Sequence, residues 1–67
     1  KKKAEYLKEM AKSTADDVAL TKKEKYLPPM PAYDRRVIHV ELASRTDVIT
    51  ESVGEEPERK IMVKVRD

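Results

Sequence analysis

A chain of 67 residues, 42% charged, with a net charge of +2 and no cysteine, has room for one small domain with a single thin core. The absent cysteines exclude disulfide staples, thiolate metal sites and thiol nucleophiles, and suit a reducing, cytoplasmic setting. No apolar run approaches the roughly 20 residues that cross a bilayer, and so near a balance of charge does not by itself mark a nucleic-acid binder. The expectation is a single domain over residues 1–67, cut from a longer protein.

Residues 3–20 place Ala4, Leu7, Met10, Ala11, Thr14 and Val18 at helical spacings, with Glu5, Glu9, Lys12 and Asp16 on the other side. An amphipathic helix follows, with Glu5 and Lys8, and Glu9 and Lys12, three apart and able to pair. The pattern ends in TKKEK, and three prolines at positions 28, 29 and 31 then force extended geometry. A short strand near residues 25–28 and a rigid loop are predicted.

The stretch YDRRVIHVEL, residues 33–42, supports two readings. Ile38, Val40 and Leu42 alternate with Val37, His39 and Glu41 as a strand would, and β-branching favours that choice. Pro31 as a helix opener and Asp34 in a first turn favour a helix instead. Further on, DVITESV and RKIMVKVRD flank GEEPE, so strands near 47–53 and 59–66 should form an antiparallel hairpin around a five-residue loop. Ile61, Val63 and Val65 would face the core, and Met62, Lys64 and Arg66 would face water.

Arg35 and His39 are separated by three residues within LPPMPAYDRRVIHVEL, and TESVGEEPER follows downstream. This combination resembles the R-three-H domain, in the version found in bacterial Jag-type RNA-binding proteins, over about residues 7–66. The resemblance implies an α+β fold, a three-stranded antiparallel sheet with two helices on one face, and makes residues 32–43 the second helix. It further implies binding of single-stranded RNA or DNA, largely independent of sequence, and an adjacent KH domain in the full-length chain. It places the signature pair on Arg35 and His39, a flanking cation on Arg36, and a hairpin signature on Thr50, Ser52, Gly54, Glu55 and Arg59. Pro31 and Ala32 stand where a capping Asn and a Pro are usual, and KKEK stands where Gly and Pro usually end the first helix.

On a helix, residues four apart lie about 40° apart, so Arg35 and His39 would share a face open to water. A guanidinium matches two phosphate oxygens, and an imidazole adds a hydrogen-bonding group, a stacking plane and a switchable charge. Arg59 and Lys60, just beyond the hairpin loop, would extend this basic strip to three or four phosphate contacts and a log-log salt slope of about −2 to −3. The same Arg35–His39 pair could instead clamp the helix to the sheet. Glu55, Glu56 and Glu58 lack the convergence of a metal or acid–base site, and the lone histidine has no nucleophile arranged with it, so neither an enzyme nor a cofactor is expected. The competing function is a protein-interaction module that docks through a strand edge or the first helix.

Overall fold

The computed structural model describes residues 2–66. Five elements follow one another: α1 (Lys2–Thr21), β1 (Lys25–Tyr26), α2 (Ala32–Ala43), β2 (Val48–Val53) and β3 (Lys60–Val65). The strands form one antiparallel sheet in the order β1-β3-β2, with β3 in the middle, and both helices cover one of its faces. The α+β architecture read from the sequence is the one observed.

Helix α1 turns Leu7, Ala11, Ala15 and Val18 into the core. Two of these are alanines with no exposure, so the helix backbone lies close against its neighbours. The helix ends where Lys22 takes a φ of 65°, the left-handed position that usually belongs to glycine, and its N–H bonds the Val18 carbonyl at 2.8 Å. The break for which the sequence offers no Gly or Pro is thus made by a lysine.

Strand β1 is shorter than the 25–28 expected, and the reason is chemical. The Leu27 N–H continues the ladder to the Ile61 carbonyl at 2.9 Å, but Pro28 and Pro29 have no N–H to give. Pairing resumes only where the Met30 N–H reaches the Arg59 carbonyl at 3.2 Å. The segment follows the sheet edge without being a strand throughout.

The even choice at residues 32–43 resolves as helix. Arg35, Ile38 and Leu42 are buried, a spacing of three and four that only a helix puts on one side. Pro31 precedes the helix with φ −62° and makes no side-chain cap, while Asp34 in the first turn pairs with Lys3 at 3.0 Å. Two further ion pairs, Lys12 with Glu41 at 3.7 Å and Arg45 with Asp16 at 2.9 Å, close the seam between the helices and show that α1 and α2 run in the same direction. Neither pair expected within α1, Glu5 with Lys8 or Glu9 with Lys12, forms among the described residues; Lys12 reaches across to Glu41 on α2 instead.

In the hairpin, Val48, Thr50 and Ser52 lie opposite Val65, Val63 and Ile61 on the helix-facing side. Residues 54–59 connect the strands, one more than expected; Gly54, at φ 87°, supplies the left-handed turn, and the Glu58 N–H closes it on the Glu55 carbonyl at 2.9 Å. Met62, expected in water, is only 8% exposed. It sits on the central strand between Tyr26 and Glu51, whose side chains flank it on the outer face.

Lys22 generates a stability test. Replacing it with glycine removes the strain of a left-handed lysine, against a smaller loss from added backbone freedom. Lys22→Gly should therefore stabilise the fold by about 0.5–1 kcal/mol, measured as an increased urea midpoint with unchanged slope.

Candidate functional site

Arg35 and His39 do share a flank of α2, but it faces inward, toward the loops and β2. Arg35 is 7% exposed, not open to water as expected. Its Nη1 donates to the Met30 carbonyl at 2.8 Å and makes a longer approach of 3.5 Å to the Arg59 carbonyl. Its Nη2 bonds Glu56 Oε2 at 3.0 Å. One guanidinium thus joins the proline loop, the entry to β3 and the hairpin loop, which have little regular pairing of their own.

His39 sits one turn further on and performs the same task on β2. Its Nδ1 lies 2.7 Å from Thr50 Oγ1 and its Nε2 lies 3.0 Å from Ser52 Oγ. Thr50 and Ser52 are two apart on a strand, so their hydroxyls emerge on the same side. A hydroxyl can donate or accept, so a neutral ring with one N–H satisfies both contacts. Burial, and secondly the charge of Arg35, push the His39 pKa below its ordinary value of 6.5. The ring is therefore a neutral clamp, with both nitrogens occupied, rather than a free switchable donor.

Among the described residues the side chains of the other three candidates make no hydrogen bond to this pair or to one another. Arg36 is exposed and, among the described residues, has no carboxylate within ion-pairing distance. Arg59 is half-buried and sends Nη1 to the Gly54 carbonyl at 3.0 Å, within the hairpin loop. Lys60 lies opposite Val53 on the outer face of the sheet, with Nζ 5.0 Å from the centre of the Tyr26 ring. The continuous strip running from α2 onto Lys60 does not exist, because alternation along β3 aims Lys60 away from the helices while Ile61 enters the core.

Two features escaped the sequence. Glu56, placed among solvated acids, is the partner of Arg35. Tyr33, Val37 and Val40 line a groove with Lys8 and Arg36 on the outward side of α2. Their spacing of four and three was visible, but it was masked by the strand-like alternation of the same stretch. Among the described residues no cluster of His, Asp and Glu is placed to hold a metal ion, and no helix is long and apolar enough to cross a membrane.

This geometry defines a class of small α+β domain in which an Arg and a His, one turn apart on the second helix, bind that helix to a hairpin. The chain belongs to the R-three-H domain family, which it matches over residues 5–65. It is 43% identical over 65 residues to the RNA-binding protein KhpB of Lactiplantibacillus plantarum, covering 97% of this chain and 20% of that protein. It is 38% identical over 65 residues to the RNA-binding protein KhpB of Clostridium symbiosum, covering 97% of this chain and 29% of that protein. The chain thus spans less than a third of the length of either relative.

The clamp yields two expectations. Arg35→Lys keeps the charge but loses the fork that serves Met30 and Glu56 together, so it should cost about 1–3 kcal/mol in urea unfolding. For His39, a folded pKa below 6.5 means that the unfolded chain takes up a proton first. Its contribution to stability is full above pH 6.5 and is lost as pH falls through the folded value. His39→Gln should flatten the stability profile on the acid side of pH 6.5, measured by urea titration at each pH.

Proposed function

We propose that this chain is a binding module for single-stranded nucleic acid, RNA in particular, that meets the sugar-phosphate chain through free cations displayed around the Arg35–His39 clamp. The observation that carries this reading is that Arg36, next to Arg35 on α2, stands exposed and without an ion pair among the described residues, inside the segment matching the R-three-H domain. Support also comes from the two relatives, each an RNA-binding protein aligned along nearly the whole of this chain.

In this reading the five candidates divide into three roles. Arg36 and Arg59 contact phosphates, Arg36 by its exposure and Arg59 through the donors left after its bond to Gly54. Arg35 and His39 are positioning residues that hold α2, β2 and the hairpin loop in one arrangement, and so fix where the free cations stand. Lys60 acts on the opposite face of the sheet and supplies at most long-range attraction. Phosphate contacts carry no base information, so binding is largely independent of sequence.

Two or three phosphate contacts give weak binding, which favours action in the cytoplasm beside a tethered second nucleic-acid-binding domain, such as a KH domain, that raises the effective concentration. The test is a fluorescence-anisotropy titration of a labelled single-stranded oligoribonucleotide over a range of salt concentrations. The expected log-log slope is about −1.4 to −2.1, shallower than the strip read from the sequence would produce. Arg36→Gln should reduce that slope by about 0.7 and leave the urea midpoint unchanged, whereas a slope near zero in the parent chain would remove the phosphate-contact reading.

A further inference from the structure

We infer that the groove between α1 and α2 is a nucleobase subsite, where one unstacked base lies on Tyr33, Val37 and Val40 while its flanking phosphates meet Lys8 and Arg36. This deepens the proposed function and rests on it.

The first support is an apolar surface that the fold leaves largely open: Val37 packs partly against the core, while Tyr33 and Val40 stay exposed. Tyr33, Val37 and Val40 recur at spacings of four and three, on the side of α2 away from Ile38 and Leu42 in the core. Tyr33 is 74% exposed and Val40 66% exposed, so neither contributes much to burial. Together with Lys8 and Arg36 they line a groove of about 210 Å³. The exposed tyrosine on the sheet, Tyr26, already has Lys60 over its ring and its hydroxyl on Glu24, which leaves it less free than Tyr33 to stack.

The second support is the pattern of charge along the helix seam. Lys3 reaches Asp34 and Lys12 reaches Glu41, and each crosses from α1 to α2. Lys8 lies between them on the same helix and lines the groove with Val37, and among the described residues it has no ion pair. Arg36, past Tyr33 on the far side of α2, has none either. The apolar floor is therefore bordered by two cations that have no ion pair among the described residues; Lys22, Lys23, Arg59, Lys60 and Arg66 also lack one, but none of those lines the groove.

That arrangement fits a base between two phosphates: an aromatic ring and two branched aliphatic chains accept any flat π-face, and the cations take the charge on either side. A docked amphipathic helix would call for a longer row of anchors than these three residues supply.

The experiment compares a labelled single-stranded oligoribonucleotide with an abasic strand of equal length on the 67-residue chain. Tyr33→Ala should weaken binding of the normal strand about tenfold, leave the abasic strand unaffected and keep the salt slope. Tyr33→Phe should retain full affinity, since stacking needs the ring and not the hydroxyl. Arg36→Gln should weaken both strands and reduce the slope. Because Tyr33 is exposed, an unchanged circular-dichroism melting curve for each Tyr33 variant shows that folding is intact.

Equal affinity of Tyr33→Ala and the parent for the normal strand overturns the subsite while leaving phosphate binding in place. Equal losses on both strands overturn it as well, by making Tyr33 a general support. If an acidic amphipathic peptide shifts the Tyr33 and Val40 resonances and the RNA does not, the groove is a protein dock. Failure of the parent chain to bind either strand at low salt overturns both this subsite and the function it rests on.

Discussion

The Arg35 guanidinium is the point on which the hairpin side of the module depends. Its two terminal nitrogens reach the Met30 carbonyl and Glu56, and approach the Arg59 carbonyl, so the proline loop and the β3 entry, joined by a single Met30–Arg59 backbone bond, are tied from one atom group to the hairpin loop. The proline loop has particular need of this. Pro28 and Pro29 cannot donate, and the carbonyls near them must find donors elsewhere. A planar fork with fixed geometry serves several acceptors at once, which a single ammonium on a flexible stem does less well. One turn along α2, His39 binds the two hydroxyls of β2, so the same flank of the helix fastens both the loop and the strand.

This use of the pair changes how its spacing is to be understood. Arg35 and His39 stand four positions apart because one helical turn separates the hairpin loop from the middle of β2, not because a ligand demands two groups side by side. On the proposed function, the cation first available to an anion is Arg36, which has no ion pair among the described residues and stands beside Arg35 on the helix that the clamp holds. In a domain this small, where the core is ten buried apolar residues, such polar fastenings take over work that a larger protein would give to packing.

What could be read from the sequence divides along the range of the interactions involved. The stripe of α1 and the two strands around Gly54 and Pro57 rest on local periodicity, and their limits differ from those observed by only a residue or so. Residues 32–43 could not be decided locally, since the β-branched alternation at 37–42 and the opener at Pro31 point in opposite directions; the resemblance to a known family settled the matter. The side-chain partners of His39 and Arg35 lie 11 to 21 positions away, and no spacing rule connects Arg35 to Glu56 in an exposed loop. Lys60 is a different case: with Ile61 assigned to the core, alternation already required Lys60 to face away, and the idea of a continuous strip conflicted with that pairing.

A remaining question is whether a phosphate could take the place of Glu56 on Arg35. Glu56 is 63% exposed at its side chain, so an ion pair there is partly screened and contributes little on its own. Yet the carboxylate is tethered to the same chain, and a tethered partner competes at an effective concentration that for short links reaches the millimolar range. A weakly bound RNA arriving at far lower concentration would lose that competition on first encounter, while Arg36 and Lys8 require no displacement at all. On the proposed function, the order of events is attraction at the free cations first and, only once the strand is held locally, any exchange at Arg35. On that proposal Arg35 sits downstream of recognition, because its nearest anion is already in place.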